Sequence, residues 1–347
     1  MAYPKPLSEK NLAKMYAQAN IDERKSDFLH KFFLACSNLY GAVVLRDMWE
    51  VLKRITDQYD MTDIKRKDLI EFSSIVRREK QPYYVFETDE LYWGENRSDL
   101  KREIVNEELL APAGFDRLSW IWKLDELRDD TPLYIPNDIL SFANPTLSKE
   151  EKALLDFLGN LEVNAEEAQD SNGMKFKCRH YGEKLKDFSF RNYAEEHEFR
   201  YCEKDSEKRS AQREQLYREL IKRTSVPENE KIVARFKQDC NLGFQNLNQN
   251  MQWVCNELVQ VCVLPKRNQS KELFELMVEF YNSCHQWILY GWTPNELSEY
   301  YRKNTKPSNG PTTLQLGDGF KKAVADGFIN LEDLEKEMKK RGIKLEF

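Results

Sequence analysis

The sequence has no long apolar stretch. No window approaches the roughly 18 apolar residues that a membrane span requires, and residues 1–7 lack the apolar core of a signal peptide. We therefore expect a cytoplasmic protein with no membrane partner.

Histidine and cysteine are scarce, with 4 histidines and 7 cysteines among 347 residues. The cysteines are dispersed and odd in number, which argues against a disulfide framework. Most of them are expected to be reduced core residues, because free cysteine packs as a small apolar side chain.

The usual catalytic motifs are also missing. No Gly-x-Ser-x-Gly elbow is present. The pair Gly317 and Gly319 has neither an apolar strand before it nor a Gly-Lys-Ser/Thr after it, so it does not form a phosphate-binding loop. The sequence nominates no catalytic residue and no cofactor.

The composition is that of a folded protein. Hydrophobic residues make up 41% of the chain and charged residues 32%, enough for a sizeable core and, at this length, for two domains. The 53 basic and 59 acidic residues give a net charge of −6. This balance argues against attraction of the whole protein to nucleic acid or to an anionic membrane.

Residues 26–86 show a regular order of patterns. Three- and four-residue apolar spacing predicts helices, and short β-branched or aromatic runs predict strands. In chain order these are a helix at 26–40, a strand at 42–45, helices at 48–59 and 69–76, and a strand at 83–86. The order resembles a winged-helix unit, which can bind DNA or another protein. Cations at 65–67 favour DNA, but the neighbouring Asp63, Asp68 and Glu71 cancel most of their field.

The second half of the chain is predicted to be helical. Residues 164–173 have almost nothing to bury, so they mark a domain boundary. The fold class is therefore mainly α with minor β: a winged-helix-like region within 1–163, a helical domain at 174–305 and a tail with short helices at 306–347. Residues 174–237 hold 17 basic and 12 acidic residues, a local excess that an acidic partner or RNA can use. The alternation in sign favours a solvated helix instead.

The sharpest cluster of potential metal ligands consists of Cys178, His180, His197 and Cys202. Two cysteines and two histidines are a known ligand set for tetrahedral zinc. The Cys-x-His spacing is tighter than usual, and His197 and Cys202 point about 140° apart on a helix. We expect no zinc there. A metal-dependent hydrolase centred on His180 and His197 is the weakest functional alternative.

The segment 287–297 predicts a complete junction between helices. Gly291 lets the chain leave one helix, Thr293 and Glu296 form a capping box, and Pro294 suits the first helical position. With the elements at 316–319 and 326–334, this junction resembles the C-terminal part of uncharacterised proteins from low-GC Gram-positive bacteria that are related to SEC-C motif proteins.

The chain departs from that group because no cysteine follows Cys284, so the zinc ligands of the SEC-C motif are missing. The resemblance implies a cytoplasmic, mostly helical protein that recognises another macromolecule. A non-enzymatic interaction or adaptor protein, with a protein partner, is therefore the leading prediction. A nucleic-acid-binding regulator, acting through the winged-helix-like unit or residues 174–237, is the alternative. The oligomeric state is left open.

Overall fold

The computed structural model describes residues 3–92, 98–110, 119–128, 130–170, 172–204, 211–304, 312–315, 336 and 343–346. It confirms a mainly α fold with minor β. The chain divides into two compact units, residues 1–297 and 298–347. The predicted domain layout stays a prediction.

Fourteen α-helices lie within the described residues. They are α1 Glu9–Ala19, α2 Glu23–Tyr40, α3 Leu45–Ile55, α4 Arg66–Val76, α5 Thr88–Leu91, α6 Glu107–Leu110, α7 Ser119–Arg128, α8 Lys149–Gly159, α9 Tyr193–Lys204, α10 Ala211–Thr224, α11 Glu228–Leu242, α12 Leu247–Gln260, α13 Arg267–Ser283 and α14 Pro294–Asn304.

The strands form three small sheets. Their bounds are β1 Ala42–Val44, β2 Tyr83–Phe86, β3 Glu103–Asn106, β4 Glu167–Gln169, β5 Lys175–Lys177, β6 Thr312–Gln315 and β7 Ile343–Glu346. Antiparallel β4 and β5 form a hairpin, and β6 pairs with β7 in parallel. The predicted boundary at 164–173 thus contains a strand, whose Ala168 is buried against the core of the C-terminal helices.

The N-terminal sheet has the antiparallel strand order β1-β3-β2. In the central strand, Ile104 lies between Val43 and Val85. All four residues of β3 are buried, although the apolar pattern at 99–110 is that of an amphipathic segment and predicts no strand there. Two of the four are polar, so the apolar alternation by which strands are recognised is absent.

Helix α2 follows the predicted stripe. Its apolar side chains at three- and four-residue steps are all buried and pack with α3 and α4 in one core. Together they contribute far more to the free energy of folding than any single contact does. These residues are Phe28, Leu29, Phe32, Phe33, Cys36 and Leu39.

The buried face of helix α13 is shifted by one residue from the predicted apolar face. The spacing of Phe274, Met277, Tyr281, Cys284 and Ile288 predicts one apolar helical stripe. The helix instead ends at Ser283, and Phe274 is 41% exposed. Leu273, Met277 and Phe280 are the buried residues. They also keep three- and four-residue steps, so the apolar period alone could not choose between the two faces.

Trp287 consequently lies in a turn rather than on α13. The turn begins with one short 3-10 segment, Trp287–Leu289, and packs against the end of α2. Gly41, with φ +69°, receives the indole: a Cβ at residue 41 would stand 2.3 Å from the ring. The Trp287 Nε1–H donates to the Asn38 carbonyl at 2.9 Å, which holds the indole in this position. Because a Cβ at 41 would clash with the ring, the position requires glycine.

Arg128, at the end of α7, ties this turn to β1 and α2. Its buried guanidinium donates to the carbonyl of Trp287 at 2.6 Å, to that of Ala42 at 2.8 Å, and to that of Tyr40. The Tyr290 ring covers the guanidinium at 4.5 Å. One cation therefore satisfies carbonyls from two segments about 250 residues apart in sequence.

The capping box predicted at 293–296 is present. The Glu296 N–H donates to Thr293 Oγ1 at 3.1 Å, and the Thr293 N–H donates to Glu296 Oε2 at 3.2 Å. Helix α14 begins at Pro294, as the sequence indicated. The predicted tail elements at 316–319 and 326–334 lie outside the described residues.

Replacing Arg128 by methionine tests the buried guanidinium. We expect a loss of about 4 kcal/mol in the free energy of unfolding, because three buried carbonyls lose a charged donor. Arg128→Lys should lose about half as much, since an ammonium cannot span all three acceptors. Denaturant unfolding measures both, and Arg54→Met, at an exposed position of α3, is the control. A loss below about 1 kcal/mol for Arg128→Met would contradict the assignment.

Candidate functional site

The four predicted metal-ligand candidates lie in separate surroundings. Cys178 follows β5, and the His180 ring stacks on Phe188 with centroids 4.2 Å apart. His197 and Cys202 are both on α9, where Cys202 is buried. Across the described ranges, no group of three or more His, Cys, Asp or Glu residues is placed to hold a metal ion. The metal-dependent hydrolase alternative therefore has no ligand set in this part of the chain.

Within the described residues, seven of the 17 cations of 174–237 form ion pairs, two of them with carboxylates outside the region. Many of its cations contact a carboxylate of the same region or of a neighbouring helix, which lowers the field that an outside polyanion would feel. The pairs are Arg179–Glu196, Arg200–Glu196, Arg218–Glu214, Arg223–Glu195, Lys231–Glu228, Arg235–Asp239 and Lys237–Glu151.

A cavity of about 350 Å³ lies where α8, α11 and the end of α13 meet α2 and β3. We call it the amide pocket. Its polar lining consists mainly of amides, hydroxyls and one ion pair, and its apolar lining is partly aromatic. The lining includes Asn38, Asn106, Glu108, Phe142, Pro145, Thr146, Ser148, Glu151, Ala234, Lys237, Gln238, Asn241, Phe280, Ser283, Cys284, His285 and Trp287.

Several of these polar groups already bind each other. Asn106 donates to the side-chain oxygen of Asn38 at 3.1 Å, and Asn38 donates to the Phe142 carbonyl at 2.9 Å. Lys237 donates to both carboxylate oxygens of Glu151, at 2.8 and 3.1 Å. These contacts fix the shape of the pocket, and Glu108 supplies a further carboxyl group to its wall.

Two side chains of the pocket keep unused hydrogen-bonding atoms. Asn241 Oδ1 accepts the Cys284 thiol at 2.9 Å, which leaves the amide Nδ2 as a donor. His285 Nδ1 lies 2.7 Å from the Gly291 carbonyl. Because a carbonyl only accepts, Nδ1 carries the proton in the neutral ring and Nε2 is an acceptor.

Burial keeps the His285 ring neutral. It lowers the pKa of His285, against the opposing effects of the Gly291 hydrogen bond and the Glu296 charge. The ring also meets Phe142 edge-on at 4.9 Å. The neighbouring Cys284 thiol donates to Asn241 Oδ1, so the neutral, oriented imidazole presents Nε2 as an acceptor beside a fixed amide.

A second candidate surface lies at the start of α4. Lys65, Arg66 and Lys67 are exposed, and within the described residues none of them forms an ion pair. The flanks of α4 contact other parts of the fold. Arg102 donates to the hydroxyls of Ser73 and Ser74, and α1 packs against the helix.

The comparisons with known proteins give no relative: no family model, curated protein or solved structure matches the chain. Among the helices that the structure describes, none has the length and apolar character needed to cross a membrane. The resemblance to SEC-C-related proteins stays a prediction.

The sequence did not reveal the amide pocket. Its lining comes from five separate stretches between residues 38 and 287, and single Asn, Gln and His residues carry no spacing signal. The local signal beside the pocket is the 287–297 segment, and its residues predict only a junction between helices.

Proposed function

We propose that the protein is a non-enzymatic adaptor that binds a segment of another protein in the amide pocket. The pairing of Asn241 Nδ2, a donor, with His285 Nε2, an acceptor, carries this proposal. In an extended chain the N–H and the C=O of one residue point to the same side, so a single residue of a partner can satisfy both. The resemblance to SEC-C-related proteins favours the same class of function.

The remaining properties of the pocket suit such a segment. A volume of about 350 Å³ is at the lower end of ligand sites and accommodates a few residues of an extended chain. Phe142 and Phe280 supply apolar contact area. Glu151 and Lys237 neutralise each other, and burial raises the pKa of the remaining carboxyl group of the lining, Glu108, so the pocket disfavours an acidic segment.

A photo-crosslinker placed at the rim tests this proposal. Benzoylphenylalanine at Thr146, which is exposed and lines the pocket, should form an adduct with a peptide of a partner protein in cells. Asn241→Leu should reduce the adduct about tenfold, the effect of roughly 1.4 kcal/mol in binding. The measurement is adduct yield and its identification by mass spectrometry.

Asn248→Leu is the matched control, because Asn248 is an exposed amide outside the pocket, and its yield should equal that of the parent. Equal yields for Asn241→Leu and Asn248→Leu would contradict the proposal. An adduct with nucleic acid instead of a peptide would also contradict it.

A nucleic-acid-binding regulator is the second candidate, favoured by residues 23–106. Their strand order β1-β3-β2 and their element order α2-β1-α3-α4-β2-α5-β3 resemble those of a winged-helix unit, with α5 as an addition, and this likeness supports the proposal. In such a unit α4 is the helix that enters the major groove, and its first turn carries the exposed Lys65, Arg66 and Lys67. Against this reading, Asp63 and Asp68 stand close by and α1 covers part of α4.

Binding to a random-sequence DNA duplex separates the two candidates. We expect no binding tighter than micromolar at physiological salt, because three cations neutralise few phosphates and each contributes roughly 0.9 to the log-log salt slope. Nanomolar, salt-sensitive binding that Lys65→Glu, Arg66→Glu and Lys67→Glu together abolish would favour the regulator. Lys175→Glu with Lys177→Glu, on β5, tests the 174–237 region in the same way.

A further inference from the structure

Glu103 is a buried carboxyl group in the middle of the N-terminal sheet. Its residue is 1% exposed and pairs with Val44 on β1 and Phe86 on β2. Glu103 Oε2 accepts a hydrogen bond from the Tyr92 hydroxyl at 2.9 Å. The same hydroxyl contacts the Asp125 carboxylate. The Tyr92 hydroxyl has one proton, so it can donate a hydrogen bond to only one of the two carboxyl groups at a time. The other carboxyl group then lacks a donor.

A cavity of about 250 Å³ adjoins this group. It is lined by Val43, Val44, Glu103, Asp125, Arg128, Thr131 and Tyr290. Water takes about 30 Å³ per molecule in the liquid, so the cavity has room for several waters or for one small organic group. From the described residues, no hydrogen bond reaches Glu103 Oε1. Glu103 thus presents, at the wall of the cavity, an acceptor oxygen that no described residue binds.

The charges around the cavity are mostly negative. Asp125, on α7, is exposed. Asp47, on α3, accepts a hydrogen bond from the Tyr290 hydroxyl at 2.5 Å. Arg128 is the opposing cation, but its N–H groups donate to three backbone carbonyls.

These surroundings decide the protonation of Glu103. Burial raises its pKa to about 8, and the charges of Asp125 and Asp47 act in the same direction, while Tyr92 and Arg128 oppose them. At neutral pH the carboxyl group therefore holds a proton. A positive ligand that replaces this proton leaves the total charge of the cavity unchanged.

We propose that the cavity binds a small organic cation of the alkylammonium class, whose N–H groups donate to Glu103 and Asp125. Binding is an exchange in which the protonated Glu103 and the alkylammonium ion give a carboxylate-ammonium pair and one released proton. An organic cation is favoured over a metal ion, because the described residues supply no group of three ligands for a metal. The site is separate from the amide pocket and does not depend on the proposed function.

Calorimetric titration of the full chain with n-butylammonium chloride tests the exchange. Since binding releases one proton, the apparent affinity should rise about tenfold per pH unit between pH 6 and pH 7, below the pKa of Glu103. In Glu103→Gln, which keeps the shape but cannot ionise, this slope should vanish and binding should weaken at least tenfold. Glu107→Gln, at an exposed position next to the strand, should behave as the parent.

Further measurements keep the proposal testable if Glu103→Gln does not fold. Titrations of the parent protein in buffers of different ionisation enthalpy should count one proton released per ligand. A capped Gly-Lys-Gly peptide distinguishes a free amine from a lysine side chain, and we expect it to bind less tightly because its backbone does not fit the cavity. The proposal is overturned if butylammonium does not bind or if its binding releases no proton. It is also overturned if the peptide binds more tightly than butylammonium, or if acetate binds at Arg128 instead.

Discussion

The fold depends on the buried guanidinium of Arg128. It donates to carbonyls of Tyr40, Ala42 and Trp287, and the last of these also accepts the Tyr290 N–H. A buried charge is tolerated when its hydrogen bonds are met, and here the bonds join the end of α2, strand β1 and the turn after α13. The planar fork of arginine suits three acceptors at once, which a lysine does not.

The Trp287 turn completes the same junction. Gly41 leaves space for the indole, and Gly291 leaves space for the Tyr40 ring, which would stand 2.8 Å from a Cβ there. Trp287 also lines the amide pocket. The contacts that hold the C-terminal helices against the N-terminal sheet therefore also set the shape of the proposed binding site, so stability and binding are coupled through one residue.

Local signals in the sequence were sufficient for much of the helical structure. The α2 stripe and the Thr293 capping box were predicted correctly, because each rests on residues three or four positions apart. Strand β3 was missed because its stability comes from pairing on both edges and not from its own apolar pattern. Arg128 gave no signal, since a charged residue at the end of a helix is ordinarily exposed.

The central claim is that residues 38–44 and 286–292 form one cooperative junction, and native-state hydrogen exchange tests it most directly. In this account the amide protons of Gly41 and Gly291, which donate to Ser37 and Gln286, exchange with the same free energy, equal to that of global unfolding. Arg128→Met should lower both by the same amount. Exchange of the 286–292 amides at a much lower free energy, while those of 38–44 stay protected, would contradict the account.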